Sequence, residues 1–185
     1  EMIVMHKVFF VRHGQSEWNV LNKICGATDI PLTAKGHEQA AMTAAKILEE
    51  NISFDKILYS PLVRASETAR HISEITGVEA VCEERLREQN FGKYEGTERN
   101  GKEFHEAKKN FICSYDGGES MFKMAQRIYN LLDEIKKDRE TTYMLVAHNG
   151  IARFINSYFY EMSNEEFASF GVDNCTVVAY EFGEE

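Results

Sequence analysis

The sequence predicts an α/β protein, a three-layer α/β/α sandwich built around a mostly parallel central sheet. Three short apolar runs, at residues 8–11, 56–59 and 143–147, have the length and composition of buried strands. Segments with helical periodicity separate these runs, and strands that alternate with helices favour parallel pairing. Because crossovers between parallel strands are right-handed, we expect helices on both faces of the sheet.

The length and charge of the chain restrict its class. Its 185 residues are enough for one domain, which we predict to span residues 1–185. Apolar residues make up 43% and charged residues 28% of the sequence, as in ordinary soluble proteins. The net charge of −9 argues against a nucleic-acid-binding surface, and no apolar run approaches the length that spans a membrane.

The N-terminal residues and the cysteines predict a cytoplasmic protein. Residues 2–6 lack the cationic start and the cleavage site of a signal peptide. The cysteines are far apart and form no Cys-x-x-Cys pair, which argues against structural zinc: Cys25, Cys82, Cys113 and Cys175. We expect reduced thiols, with two disulfides as the alternative. We expect neither nucleic acid nor membrane as a partner, and either a monomer or a homodimer.

The first half of the chain alternates helices with strands. A short helix is predicted over 17–24, and a second from an N-cap at Thr33 to about Glu50. The buried face of the second helix should contain Ala40, Ala41, Ala44, Ala45, Ile47 and Leu48. After the strand at 56–59, Ser60 fits an N-cap and Pro61 the first helical position, and this helix should end at Gly77. Residues 78–82 follow as a strand.

The second half begins with the least regular region, residues 83–118. A charged, helical stretch to Lys109 is expected there, broken by Gly117 and Gly118. The next helix has a clear apolar stripe, formed by Met121, Met124, Ala125, Ile128, Leu131, Leu132 and Ile135. A helix over 151–159 and a final strand over 175–182 complete the prediction.

Each of the three apolar runs is followed by a cation or an imidazole. Arg12 and His13 follow the first strand, Arg64 the second and His148 the third. The carboxyl ends of parallel strands lie at one edge of a sheet, where ligands bind in open α/β folds. Such a cluster repels itself unless an anion occupies it, and phosphate matches the planar fork of arginine.

Several motifs, in order between residues 8 and 150, together resemble the histidine phosphatase superfamily, which includes the phosphoglycerate mutases. They are Arg12-His13-Gly14, Asn19, Ser60-Pro61-Leu62-x-Arg64-Ala65, Leu86-x-Glu88-x-x-Phe91-Gly92, Glu95-Gly96, Gly118-Glu119-Ser120 and Val146-Ala147-His148-x-Gly150. The resemblance implies that His13 is the nucleophile that becomes a phosphohistidine, and that Glu88 is the proton donor. It also implies that the transferring phosphoryl group is held by Arg12, Arg64 and His148, with Asn19 as a further donor. Gln15, Thr28 and Asn149 match positions where backbone N–H groups or substrate contacts occur.

The residues support this chemistry on physical grounds. A neutral imidazole is a good nucleophile, and a carboxylic acid can protonate the departing alkoxide and later activate water. Arginine and histidine can stabilise the charge on the equatorial oxygens. We expect no cofactor and, since the sequence has no carboxylate cluster with metal-ligand spacing, no metal.

The segment from Gly96 to Gly117 favours hydrolysis over isomerisation. Mutase-type members are longer here, with basic residues that bind the substrate carboxylate, whereas this segment is short and has no Arg-Arg pair. We therefore predict a phosphatase of a small phosphorylated metabolite. The alternatives are a phosphoglycerate mutase and a phosphate-binding module without turnover.

The sequence leaves the identity of the ester open. The mouth of the site could be formed by Phe104, Phe111 and Tyr115. Lys108 and Lys109 are predicted to form a solvated face, and the alternative is that they bind a second anionic group of the substrate.

Overall fold

A five-stranded sheet forms the centre of the fold in a computed structural model that describes residues 5–183. The strands are β1 (Lys7–Arg12), β2 (Lys56–Tyr59), β3 (Ala80–Cys82), β4 (Tyr143–Ala147) and β5 (Val177–Glu181). Their order is β3-β2-β4-β1-β5; the first four are parallel, and β5 pairs antiparallel with β1. The predicted α/β fold with a mostly parallel sheet is confirmed. Of residues 2–6, where we expect no signal peptide, residues 2–4 lie outside the described residues.

Seven helices pack around this sheet in the described part of the chain. They are α1 (Glu17–Val20), α2 (Ala34–Glu49), α3 (Val63–Thr76), α4 (Lys102–Ala107), α5 (Met121–Lys137), α6 (Asn149–Phe159) and α7 (Asn164–Ser169). Two short 3₁₀ turns, Glu84–Leu86 and Gly92–Tyr94, precede α4. No helix over residues 5–183 combines the length and apolarity needed to cross a membrane.

Side chains of β1 alternate between two cores. Val8 and Phe10 pack with the apolar stripes of α5 and α6. Phe9 and Val11 face the opposite side and pack with residues of α2 and α3. Burying one large apolar side chain contributes about 1.5–3 kcal/mol, so packing on both faces fixes β1 and therefore the residues that follow it.

The start of α3 differs from the prediction. Ser60 is not its N-cap, because the helix begins at Val63 with Leu62 in the capping position. The carboxylate of Asp29 accepts a hydrogen bond from the Val63 N–H at 2.7 Å and satisfies a free donor of the first turn. This leaves the Ser60 hydroxyl for a different partner, His148.

Other boundaries and faces shift by small amounts. The N-cap of α2 is Thr33, as predicted, but Ala45 and Leu48 are exposed and Ala41 is half-buried, because only a narrow stripe of α2 faces the sheet and α3. α1 ends at Val20, and α7 has no counterpart in the sequence prediction. The apolar stripe of α5 is buried as predicted, except for half-buried Ala125. All four cysteines are free thiols.

Candidate active site

Three neighbouring strands bring the predicted site residues together. β4 lies between β1 and β2, and their registers align Arg12 with Ala147 and Tyr59 with Val146. The His13 N–H continues the ladder and donates to the Ala147 carbonyl at 3.0 Å. The rings of His13 and His148 are therefore neighbours in an edge-to-face arrangement, with their centroids 5.2 Å apart.

The His13 ring has a defined tautomer. It is buried, and its Nδ1 lies 2.6 Å from the carbonyl oxygen of Gly14, which can only accept. Nδ1 therefore carries the proton, and Nε2 keeps a free lone pair. Burial, followed by the charges of Arg64 and Arg12, holds the pKa of His13 well below its ordinary value. The imidazole is neutral at pH 7 and can act as a nucleophile.

Gly14 allows the end of β1 to approach α2 and α3 closely. A Cβ at this position would lie 2.4 Å from the carbonyl oxygen of Gly36, so no other residue fits without backbone movement. The Gly14 N–H donates to the Thr68 hydroxyl at 3.1 Å, and this hydroxyl donates to the Arg64 carbonyl at 2.8 Å. These contacts fix the position of His13 relative to the first turn of α3.

Arg64 is fully buried and is oriented by backbone carbonyls. One terminal nitrogen donates to the Thr28 carbonyl at 2.7 Å, and the other donates to the Gly26 carbonyl at 2.6 Å. Its Nε has no partner among residues 5–183. A buried guanidinium in contact with neutral carbonyls alone keeps its charge available for an anion.

Glu95 holds the loop that orients Arg64. Its carboxylate accepts hydrogen bonds from Gly26 N–H at 3.0 Å, Ala27 N–H at 2.8 Å and the Thr28 hydroxyl at 3.0 Å. The motif Glu95-Gly96 belongs to the resemblance, but sequence reasoning assigned Glu95 no role. The loop that supplies carbonyls to Arg64 is therefore fixed by a carboxylate distant in sequence.

His148 is buried at the end of β4. Its Nε2 lies 2.7 Å from the Ser60 hydroxyl, which also accepts from the Leu62 N–H at 3.3 Å. Burial, followed by the charges of Arg64 and His13, holds the pKa of His148 well below its ordinary value. Because the Ser60 hydroxyl already accepts from the Leu62 N–H, we assign it as the donor to Nε2 of the neutral ring, whose proton then lies on Nδ1. That nitrogen has no partner in the described part of the chain.

Arg12 completes the cationic cluster. One terminal nitrogen donates to the Val172 carbonyl at 2.6 Å, and its Nε is buried without a partner among the described residues. Burial, followed by the charge of Arg99, lowers the pKa of Arg12 to about 10. Arg12 therefore remains charged at pH 7, beside two neutral imidazoles.

The carboxylate of Glu88 is buried and packs against the first turn of α6. Oε1 accepts from the Gln89 N–H at 2.8 Å, and Oε2 accepts from the Gly150 N–H at 2.9 Å. The positive end of α6 therefore faces this carboxylate. The motif His148-x-Gly150 marked Gly150 in the sequence, but no sequence pattern indicated that Gly150 contacts Glu88.

The remaining predicted residues separate into two groups. Asn19 lies near His13, since Asn174 donates to the His13 carbonyl at 2.8 Å and lies 3.5 Å from Asn19 Oδ1. The same Oδ1 accepts from Ser16 N–H at 2.9 Å, which leaves Nδ2 as the donor for a ligand. Sequence reasoning missed Asn174, which lies in the loop before β5.

The second group, Gln15, Thr28 and Asn149, forms hydrogen bonds with other residues of the chain. The Gln15 N–H donates to Gln39 at 2.8 Å, so the structure does not bring Gln15 to the cluster. Thr28 acts on Arg64 through its carbonyl. Asn149 lies beside Glu88 in a cavity, and its Oδ1 accepts from the Val172 N–H at 2.9 Å.

This cavity of about 370 Å³ lies next to the cationic cluster and includes Glu88. Phe104 lines it, as predicted for the mouth. Tyr115 belongs to the same buried aromatic cluster as Phe104 but does not line the cavity, and Phe111 packs against Phe167. A larger cavity of about 770 Å³ lies between α5, α6 and α7. Phe111, which was expected at the mouth of the site, lines this second cavity, whereas none of the residues expected to react with or hold the phosphoryl group does. Within residues 5–183, no three His, Cys, Asp or Glu side chains are grouped as a metal site.

Sequence comparisons identify relatives with two kinds of name. The sequence model described as the histidine phosphatase superfamily (branch 1) matches residues 8–185. A putative phosphoserine phosphatase from Hydrogenobacter thermophilus is 31% identical over 182 residues, which are 94% of this chain and 88% of that protein. A probable phosphoglycerate mutase from Photorhabdus laumondii is 34% identical over 155 residues, 80% of this chain and 71% of that protein.

A solved structure matches the fold at a similar level of identity. The phosphoserine phosphatase of Entamoeba histolytica, in complex with 3-phosphoglyceric acid, superposes with a TM-score of 0.80 and 31% identity. The superposition covers 95% of this chain and 90% of that one. The likeness therefore extends over almost the whole sheet and its helices.

Proposed function

The chain belongs to the histidine phosphatase superfamily and is a phosphate-ester hydrolase, and we propose that it acts through a phosphohistidine on His13. The observation that carries this proposal is the hydrogen bond of His13 Nδ1 to the Gly14 carbonyl. It leaves Nε2 unprotonated in a cluster that contains Arg12, Arg64 and His148. A nucleophile of this kind next to cations is suited to phosphoryl transfer.

In the first step, His13 Nε2 attacks phosphorus and the bond from phosphorus to the ester oxygen breaks. Glu88 enters this step as the neutral acid and gives its proton to the departing oxygen. Arg12, Arg64 and the Nδ1–H of His148 hold the equatorial oxygens, and Asn19 Nδ2 is a further donor. Because these groups are held by the protein before the substrate binds, they stabilise the transition state without reorganisation.

In the second step, water attacks the phosphohistidine and Glu88, now a carboxylate, takes its proton. Inorganic phosphate leaves, and His13 Nε2 regains its lone pair. The bond from phosphorus to Nε2 breaks as the bond to the water oxygen forms, so the enzyme returns to its starting state. Nδ1 keeps its proton throughout and donates it in the hydrogen bond to the Gly14 carbonyl.

Access of water supports hydrolysis over isomerisation. A mutase has to protect its phosphoenzyme from water until a second acceptor arrives. Here the short segment after Glu95 forms only α4, and exposed Arg99, Asn100 and His105 line the cavity next to Glu88. The mutase-named relatives keep isomerisation as the second candidate.

The proposal also covers the location, the partners and the cofactor requirement of the protein. Four free thiols support a cytoplasmic location, and the net charge of −9 supports the absence of a nucleic-acid partner. We propose a monomer or a homodimer that needs neither metal nor cofactor. Chelation with EDTA should then leave the rate unchanged.

Trapping the phosphoenzyme tests the chemistry. Acid-labile phosphate should appear on the wild-type protein after rapid quenching with nitrophenyl phosphate, and His13→Ala should show neither label nor turnover. His37→Gln is the matched control, because His37 pairs with His71 between α2 and α3. Labelling of His13→Ala would contradict the assignment. Primer-dependent isomerisation of 3-phosphoglycerate that outruns phosphate release would favour the mutase.

A further inference from the structure

The cavity beside Glu88 contains three cationic side chains that the proposed phosphoryl transfer does not use. They are Arg153 on α6, Lys108 at the C-cap of α4 and Arg99 in the segment before α4. The positive charges of Arg153 and Arg99 both lower the pKa of Lys108, and Arg99 also lowers those of Arg12 and His13. Three cations that repel one another therefore share the wall of one small cavity.

Arg153 is buried with most of its donors unused. It is 3% exposed, and its single hydrogen bond runs from one terminal nitrogen to Gln89 Oε1 at 3.2 Å. Gln89 is itself held by the Glu119 carbonyl, to which its Nε2 donates at 3.0 Å. Nε and the other terminal nitrogen of Arg153 have no partner among residues 5–183. The guanidinium carbon lies 5.3 Å from the centre of the Phe167 ring and 5.9 Å from that of Phe154, and these rings cannot satisfy the two free nitrogens in the guanidinium plane as an anion would.

Lys108 differs from its neighbour Lys109. Lys109 pairs with Glu106 at 3.1 Å on the solvated surface, as the sequence predicted. Lys108 is half-buried with its Nζ 5.5 Å from the centre of the Phe104 ring, and no described carboxylate lies within ion-pair distance of it. Burial, followed by the charges of Arg153 and Arg99, lowers its pKa to about 8, so Lys108 remains mostly charged at pH 7.

Glu88 does not neutralise these cations by direct contact. Its two oxygens accept from the Gln89 and Gly150 N–H groups, and it forms no ion pair within the described residues.

We propose that Arg153, Lys108 and Arg99 form a second-anion site, so that the substrate is a phosphate ester with a further carboxylate or phosphoryl group. This inference rests on the proposed function, because the reacting phosphoryl group has to occupy the adjacent cluster around His13. The volume of about 370 Å³ suits a small metabolite. Arginine binds carboxylates and phosphates alike through its planar fork, and Lys108 adds a point charge.

Matched pairs of esters test the second-anion site. Phosphoserine and phosphoethanolamine differ by a carboxylate, as do 3-phosphoglycerate and glycerol 3-phosphate; fructose 1,6-bisphosphate and fructose 6-phosphate differ by a phosphoryl group. We expect kcat/KM to be at least about tenfold higher for one class of doubly anionic ester than for its partner, since a charged contact contributes about 1.5–3 kcal/mol. The class that shows the preference identifies the second anion. Equal values within all three pairs would overturn the proposal.

Variants locate the preference in the protein. Lys108→Met and Arg99→Gln should each reduce the ratio of kcat/KM within the preferred pair by about tenfold. Lys109→Met is the matched control and should preserve the ratio. Arg153→Gln should abolish the preference. Because Arg153 is buried, its replacement can also destabilise the fold, so the test depends on the variants of Lys108 and Arg99. An unchanged ratio in both Lys108→Met and Arg99→Gln would overturn the assignment.

A binding measurement separates this proposal from the proposed function. His13→Ala cannot form the phosphohistidine, but its second-anion site is intact. We expect the doubly anionic ester of the preferred pair to raise its Tm more than the singly anionic ester does, and Lys108→Met in the same background to reduce the difference. This result would stand even if the wild-type enzyme formed no phosphoenzyme. Equal Tm shifts within all three pairs of esters would contradict the second-anion site alone.

Discussion

The carboxylate of Glu88 and the backbone of Gly150 are in such close contact that no side chain fits between them. The Gly150 N–H donates to Glu88 Oε2 at 2.9 Å, and a Cβ on Gly150 would lie 2.3 Å from Oε1. Since side chains do not approach to 2.3 Å, a substitution at 150 has to move the carboxylate. The glycine thus fixes the position of the carboxyl group that we propose as proton donor.

Gly150→Ala should therefore impair proton transfer without removing any reacting group. We expect kcat for alkyl phosphates to fall by about a hundredfold, because general acid catalysis contributes on the order of 10²–10⁴. Nitrophenyl phosphate, whose leaving group hardly needs a proton, should lose less in the phosphorylation step. Gly183→Ala is the control, since its Cβ would meet no described atom within 4 Å. Equal losses for both esters at this step would argue that Gly150 acts elsewhere.

Glu88→Gln separates the acid from the base role of the same carboxyl group. With nitrophenyl phosphate, His13 should still be phosphorylated, but water attack on the phosphohistidine loses its base. Rapid mixing should show a burst of nitrophenol followed by a slow steady state, with acid-labile phosphate on the quenched protein. Alkyl esters should react far more slowly from the first turnover. If both esters slow by one factor and no phosphoenzyme accumulates, Glu88 is not the acid–base residue.

Glu95 is expected to act through Arg64, as a positioning residue. Replacing its carboxylate by an amide in Glu95→Gln puts an N–H donor where an oxygen now accepts from the loop at 26–28. We expect the inhibition constant for orthovanadate to rise and kcat/KM to fall by at least about tenfold. Arg64→Ala should lose about a hundredfold, as for removal of a charged transition-state contact.

The double variant decides whether the two residues act together. If Glu95 only orients Arg64, Glu95→Gln should add nothing to Arg64→Ala, whereas independent sites would show additive losses of activation free energy. Glu98→Gln is the matched control, because Glu98 lies three residues after Glu95 and is exposed. Additive losses would show that Glu95 has a role apart from Arg64.

Much of the catalytic edge could be predicted from the sequence, because it depends on strands that are buried on both faces. The runs at 56–59 and 143–147 coincide with β2 and β4, and β1 extends the run at 8–11 by one residue at each end. Since side chains that follow such strands have little choice of position, the convergence of Arg12, His13, Arg64 and His148 followed from local patterns.

Contacts between distant segments could not be predicted in this way. The N-terminal donor of α3 is satisfied by Asp29, and nothing in the local Ser60-Pro61 pattern indicates this partner. Arg153 lies on an amphipathic helix, where a charged residue normally faces solvent, yet it is 3% exposed. Its burial beside Lys108 depends on how the irregular region 83–118 folds over α6, which local periodicity does not encode.

The two buried imidazoles predict a loss of stability in mild acid. The pKa values of His13 and His148 lie well below the ordinary 6.5 in the folded protein, because burial and nearby arginines disfavour the charged form. Below pH 6.5 the unfolded chain therefore binds more protons than the folded one, so the free energy of unfolding decreases as the pH falls. Each imidazole contributes a limiting slope of about 1.4 kcal/mol per pH unit.

Urea unfolding at pH 7.5, 6.5 and 5.5 measures this dependence. The free energy of unfolding should fall most between pH 6.5 and 5.5, and His148→Asn should reduce the slope in that interval by up to about 1.4 kcal/mol per pH unit. His71, whose pKa is also lowered by partial burial, contributes in the same direction and is common to both proteins. Orthovanadate should protect at pH 6.5, since an anion that binds the cluster only in the folded state raises the free energy of unfolding. A wild-type free energy of unfolding that stays constant down to pH 5.5 would mean that the two rings bind protons without unfolding, and the neutral nucleophile proposed for His13 would lose its support.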